Sequence, residues 1–214
     1  MRKQRGITLV ELIVALVVAG ILAALGAPSL RDIFRNNARS TRLNDMVLAL
    51  NYARSQAVGR SARITVCEVD LRANPNPTQC TNHPNPPTTG VFQTGWMVFL
   101  DNAAGTTGVV DAGETVLRIF QPDGAGDATF IGRRASDDAL AGFLSYTANG
   151  LLDQPNGGIY FVYCDGRGNE SGRMVQVSPT GQARVSRDDD GDGLHEASYI
   201  GAVKEFGGGV VACP

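Results

Sequence analysis

The chain has 214 residues, 43% of them hydrophobic, with 19 basic and 21 acidic side chains and a formal charge of −2. That length suits one anchor helix plus one domain able to bury its own core, and the mildly acidic balance excludes a general polyanion binder, so any contact with nucleic acid must come from a local patch. Four cysteines, an even number without a Cys-x-x-Cys pair or Cys/His clustering, point to disulfides rather than to zinc or redox catalysis.

The chain begins with Arg2, Lys3 and Arg5 ahead of Gly6, and from Ile7 to Leu30 the only charged side chain is Glu11. An apolar run of this length is just enough to cross a hydrocarbon core of about 30 Å, and the basic leader holds the N-terminus on the cytoplasmic side. Ala15, Ala19, Ala23 and Ala27, with Gly20 and Ala24, recur on one side and suit close helix–helix contact in lipid. A carboxylate such as Glu11 near the apolar edge costs about 2.5–3.5 kcal/mol on insertion scales and calls for a partner. No small-x-small cleavage site follows the apolar run, as it would in an ordinary secretory signal. The only small residue at a plausible cut is Gly6, in front of it.

Gly6 followed by Ile7-Thr8-Leu9-Val10-Glu11 resembles the class III signal of type IV pilins and type II secretion pseudopilins. The resemblance implies cleavage between Gly6 and Ile7 by a prepilin peptidase, N-methylation of Ile7, and pairing of Glu11 with the free terminal amine of a neighbouring subunit. Ile7 stands where phenylalanine is more usual, and Pro28 matches the proline that often kinks or melts this helix in assembled filaments. Removal of the leader leaves 16 basic against 21 acidic residues, a charge of −5.

Beyond the apolar run, Leu30, Ile33, Phe34, Ala38, Met46, Val47, Leu50, Ala53 and Ala57 follow three/four spacing with Arg31, Arg35, Arg39, Arg42 and Asp45 between them. This is a single stripe facing a core, so the helix is expected to run from Ile7 to Val58, about 78 Å at 1.5 Å per residue, and to stop at Gly59. Strands are expected over residues 62–69, 96–100, 115–120, 128–131, 143–147 and 159–163. Residues 173–178 and 182–186 form a hairpin about Pro179-Thr180-Gly181, with a last strand at 198–203 and a Pro-rich loop over 71–94. The expected organisation is a leader at 1–6, a transmembrane and assembly helix at 7–30, its periplasmic continuation at 31–59 and a β-rich domain at 60–214. The fold class is α+β, a long N-terminal helix packed on antiparallel sheet.

Of the three possible cysteine pairings, Cys67–Cys80 with Cys164–Cys213 is expected. The first would restrain a loop rich in Pro and Asn, worth about 3 kcal/mol in the chain-entropy model, and the second would tie the C-terminal tail to a core strand. Asp188, Asp190 and Asp192 followed by Gly193 reproduce the opening of an oxygen-ligand calcium loop, but the place of the closing acid, the twelfth, holds Tyr199. Glu196 could substitute only with a different loop path, and the alternative is a solvated acidic turn. Asp101-Asn102 with Asp111 and Glu114 make a weaker case for such a loop and are read as an ordinary hairpin loop. His83, in a proline-rich loop, and His195, in an acidic turn, stand near no plausible serine or cysteine nucleophile in sequence, and no catalytic site or required cofactor is expected.

The run from Leu50 to Ala57, Val66-Cys67, the Gly95–Asp101 stretch, Asp111-Ala112-Gly113-Glu114 and the turn before Arg184 are similar to the FimT/GspH group of minor pilins and pseudopilins. The resemblance implies a structural subunit of a type IV pilus or type II secretion filament. Its partners would be other pilins and the prepilin peptidase, and its domain would face the periplasm from the inner membrane before assembly. Some FimT-type proteins bind DNA during natural transformation through a Gly-Arg-x-Arg turn, which gives an alternative role in DNA uptake. Here that turn reads Gly181-Gln182-Ala183-Arg184, with Gln182 supplying no charge. Arg173 and Arg187 lie close in sequence and could compensate on the same hairpin, while Asp188, Asp189 and Asp190 would repel phosphate unless calcium neutralised them.

Overall fold

The structure is a computed structural model that describes residues 6, 8–81, 91–102, 105–122, 128–153, 157–198, 204–205 and 213, with backbone alone at 25–29 and 205. One α-helix, α1, spans Leu9–Arg60. The chain divides into two compact units, Met1–Ala38 and Arg39–Pro214.

In the first unit the helix exposes its apolar side chains: Leu9, Val10, Leu12, Ile13, Leu16, Ile21, Leu22, Leu30, Ile33 and Phe34 are each at least half exposed. Leu30, Ile33 and Phe34 therefore do not face a core, contrary to the stripe read from the sequence. Among the described residues no helix is long and apolar enough to cross a membrane. Part of the expected span, Ile7 and the side chains of 25–29 with Pro28 among them, lies outside the described residues.

In the second unit the core face of α1 is Leu43, Met46, Ala49, Leu50, Ala53 and Ala57, all buried. Arg42, expected on the solvent side, is buried with them at 2% exposure. Its Nη2 donates to the Gln93 carbonyl at 2.8 Å, whereas Nε and Nη1 have no hydrogen-bond partner. Burial holds its pKa below the ordinary value for arginine.

The helix does not end at Gly59 but continues to Arg60. Ser61 takes the left-handed conformation at φ 52°, its N–H donates to the Val58 carbonyl at 3.3 Å, and the N–H of Ala62 donates to the Ala57 carbonyl at 3.2 Å. That pair of bonds is a Schellman cap with serine where glycine usually sits.

Among the described residues, two four-stranded antiparallel sheets flank the core. The first has the order β3-β2-β1-β5, from β1 (Ile64–Glu68), β2 (Trp96–Leu100), β3 (Thr115–Phe120) and β5 (Phe143–Tyr146). The second has the order β4-β6-β7-β8, from β4 (Thr129–Arg134), β6 (Ile159–Cys164), β7 (Arg173–Val177) and β8 (Ala183–Val185). The strand expected at 128–131 runs on to Arg134, six residues paired along β6.

Side-chain alternation between two covered faces explains why β2 and β6 are apolar at every position. Ile159, Phe161 and Tyr163 join the core with Val175, Val177 and α1, while Tyr160, Val162 and Cys164 turn to a second cluster with Met174, Ala197, Leu194 and Cys213. In the first sheet Ile64, Val66, Trp96 and Val98 face the core. Cys67, Met97 and Phe99 face a third cluster, covered by Leu71, Cys80 and Val110.

Two disulfides fasten those outer covers, Cys67–Cys80 and Cys164–Cys213. β9 (Glu196–Ala197) precedes the expected run and pairs with β10 (Lys204–Glu205), Ser198 is in a turn, and 199–203 lie outside the described residues. Two residues such as Glu196–Ala197 are too few to carry a strand periodicity.

Candidate functional site

At the N-terminal end Gly6 is exposed, and a Cβ added there would meet nothing within 4 Å, so packing does not demand glycine at this position. Thr8 caps α1: its Oγ1 accepts the backbone N–H of Glu11 at 3.3 Å and its carbonyl accepts the N–H of Leu12 at 3.2 Å. Thr8-Leu9-Val10-Glu11 has the Ser/Thr-x-x-Glu spacing of a capping box. Glu11, exposed in the first turn, also stands where the helix dipole favours an anion. The capping role was visible in that spacing and was missed behind the carboxylate's cost in lipid. Ile7, the basic leader and the Pro28 side chain lie outside the described residues.

At the C-terminal hairpin, Arg184 on β8 pairs in register with Gln176 on β7 and is exposed. Alternation puts Arg173 on the other face of that sheet, with Val175 and Val177. Arg173 is half buried, and its Nη1 donates to the carbonyls of Glu170 at 2.8 Å and Gly172 at 2.6 Å. Burial, helped by Arg39 and Arg167 nearby, keeps its pKa below the ordinary value. The structure therefore does not bring Arg173 beside Arg184.

Arg187 does join Arg184: both line a cleft of about 680 Å³ with Gln176, Asp189 and Ser198. Gln182 is exposed, and its N–H donates to Ser178 Oγ at 3.2 Å. Gly181 has a packing reason of its own, since at φ 78° a Cβ would lie 2.1 Å from the Gly150 carbonyl oxygen. Arg54 of α1 ties these two turns together, with Nε donating to the Gly150 carbonyl at 2.9 Å and Nη2 to that of Thr180 at 3.1 Å.

The acidic loop follows directly. One carboxylate oxygen from each of Asp188, Asp190, Asp192 and Glu196 lies within 4.8 Å of the others. Asp190 and Asp192 are exposed and Glu196 is 5% exposed. The different path that would bring Glu196 round is present, because its N–H donates to the Arg187 carbonyl at 2.8 Å and closes the loop on itself. His195 turns Nδ1 to the Ser186 carbonyl at 2.9 Å, and burial lowers its pKa. His83 lies outside the described residues.

The other acidic group is structural. Asp101, fully buried, accepts from Thr65 Oγ1 at 2.7 Å, Gly108 N–H at 2.9 Å and Arg63 Nε at 3.1 Å. Glu114 accepts the N–H groups of Asn102 and Asp111 at 2.7 and 2.9 Å, and Asp111 that of Thr106 at 2.6 Å. These carboxylates close the loop between β2 and β3.

A sequence model described as type II transport protein GspH matches residues 42–181, and one described as prokaryotic N-terminal methylation motif matches residues 1–27. No curated protein matches the chain. Among solved structures, the chain is similar to a crystal structure of the type IV minor pilin FimU of Pseudomonas aeruginosa. That match has 22% identity and a TM-score of 0.50, and covers 72% of this chain and 90% of that one. A second crystal form of FimU gives 20% identity and a TM-score of 0.47 over 70% of this chain and 92% of that one.

Proposed function

The chain belongs to the family of the type II transport protein GspH, and from that premise we propose that it is a minor pilin or pseudopilin, a non-enzymatic subunit built into a type IV pilus or type II secretion filament. The observation that carries this reading is the methylation motif over residues 1–27, on the same helix whose large apolar side chains are exposed from Leu9 to Leu22 and again at Leu30, Ile33 and Phe34. So much contiguous apolar surface needs cover. Lipid supplies it before assembly and the helices of neighbouring subunits supply it afterwards.

A prepilin peptidase removes residues 1–6 and methylates the new amine of Ile7. Glu11 then lies in the first turn beyond the cut. In an apolar surrounding its charge is costly until it meets an opposite one. A neighbour's terminal amine is that charge, so pairing draws the subunit out of the membrane and sets its register in the bundle. Pro28, which has no N–H to give the helix ladder, is the place where the packed helix loosens.

Mass spectrometry of the mature chain tests the reading. It expects a first residue of N-methylated Ile7, and an uncleaved Met1 start when Gly6 is replaced by valine. An unprocessed wild-type chain in cells with active peptidase would overturn it.

A second reading rests on the cleft shared by Arg184 and Arg187, a basic pair that could take a DNA backbone in uptake. It predicts salt-sensitive DNA binding that Arg184→Ala abolishes. Asp189 in the same cleft and the uncharged Gln182 weigh against it.

A further inference from the structure

The acidic loop at 188–196 lies beyond the residues matched by the family, 42–181, and the filament role does not use it. Glu196 is the informative member. It is 5% exposed, its Oε2 accepts the N–H of Asp189 at 2.7 Å, and its Oε1 is buried without a hydrogen-bond partner. A buried carboxylate oxygen left unpaired costs free energy, and this one belongs to a group held against three further carboxylates. Mutual repulsion and desolvation both act against that arrangement unless a cation enters.

We propose that Asp188, Asp190, Asp192 and Glu196 form a calcium site, with Glu196 as the buried closing ligand. The donor set is all oxygen and all anionic, which selects a hard divalent cation over zinc or copper. Four carboxylates suit Ca²⁺, whose oxygens lie 2.3–2.6 Å from the metal, so that oxygens up to 4.8 Å apart fit across one shell. Mg²⁺ holds its oxygens at 2.0–2.1 Å and is usually bound through only one or two carboxylates. The acid comes from β9, eight residues after Asp188, because the Arg187–Glu196 bridge folds the loop short. Binding joins the loop that lines the Arg184–Arg187 cleft to the strand that leads into the C-terminal tail.

Calorimetric titration of CaCl2 into the full chain, in detergent and stripped with chelator, tests this. A single saturable site is expected with Kd in the range of about 10⁻⁵–10⁻³ M, weakened at least tenfold by Asp190→Asn and by Glu196→Gln, and not competed by equal Mg²⁺. Asp190 is exposed, and asparagine keeps its bond to the Asp192 N–H, so that variant decides the matter even if Glu196→Gln does not fold. No saturable heat in the wild type, full affinity in Asp190→Asn, or equal competition by Mg²⁺ would each overturn the site.

Discussion

The backbone N–H of Glu11 donates to Thr8 Oγ1 at 3.3 Å, so the residue expected to pair with a neighbour also sits in the cap of its own helix. Thr8→Ala should cost about 1 kcal/mol of helix-end stability. It would be read as faster amide exchange at residues 9–12 in detergent with no change around Leu50, and Thr8→Ser should restore protection. Unchanged exchange at 9–12 would remove the cap.

The end of α1 makes a sharper prediction, because sequence and structure disagree about which residue stops it. Gly59 is helical with open space where a Cβ would go, and Ser61 is the residue in the left-handed region. Gly59→Ala should therefore stabilise the domain by up to about 1 kcal/mol. Ser61→Gly should stabilise it too, relieving a left-handed conformation that costs a non-glycine residue about 1–2 kcal/mol. Thermal melts that fall for Gly59→Ala would return the stop to Gly59.

The two disulfides are expected to differ in weight. Cys164–Cys213 spans 49 residues and Cys67–Cys80 spans 13, which the chain-entropy model converts to about 4 and about 3 kcal/mol. Replacing Cys164 and Cys213 together by alanine should lower the melting temperature more than the same change at Cys67 and Cys80. It should also release the tail, where the Cys213 N–H meets Asn169 Oδ1 at 2.8 Å. The reverse order of melting temperatures would contradict this weighting.

Asp138 gives the domain an acid limit. Burial alone would raise its pKa, but hydrogen bonds from Lys204 Nζ at 2.8 Å and the Tyr160 hydroxyl at 2.5 Å outweigh it and hold the carboxyl below its ordinary value. A carboxylate whose folded pKa is depressed stabilises the fold above its unfolded pKa of about 3.9 and loses that contribution as pH falls through the folded value. Asp138→Asn, which asparagine's tolerance of positive φ permits at φ 56°, should lower the melting temperature near pH 6, with the gap from wild type closing as pH drops below about 4. A gap independent of pH would show that the ion pair contributes nothing.

Most strands were legible because apolar runs such as Trp96–Leu100 and Ile159–Cys164 stand between Gly, Asn and Asp, and local pattern decides such segments. Their division into two sheets was not legible: no local signal says that β4 leaves β3 to pair with β6. Arg42 was misread for a related reason. A charged residue within a helical stripe reads as solvent-facing, and its partner, the Gln93 carbonyl, is too distant in sequence to be foreseen. The acidic loop was half legible, with Asp188, Asp190 and Asp192 plain in sequence. Glu196 enters through a backbone bridge to Arg187 that spacing rules do not anticipate. The glycine of the 181–184 turn has a packing reason that the sequence could not show, since a Cβ there would meet the Gly150 carbonyl.

The central claim, that Glu11 drives incorporation by its charge and not by capping its helix, is tested by Glu11→Gln. Glutamine serves equally at the third position of a capping box but cannot neutralise an amine. The amount of processed chain in sheared filaments should fall severalfold in Glu11→Gln while cleavage and membrane retention stay at wild-type levels. Wild-type amounts of the variant in filaments would contradict the pairing.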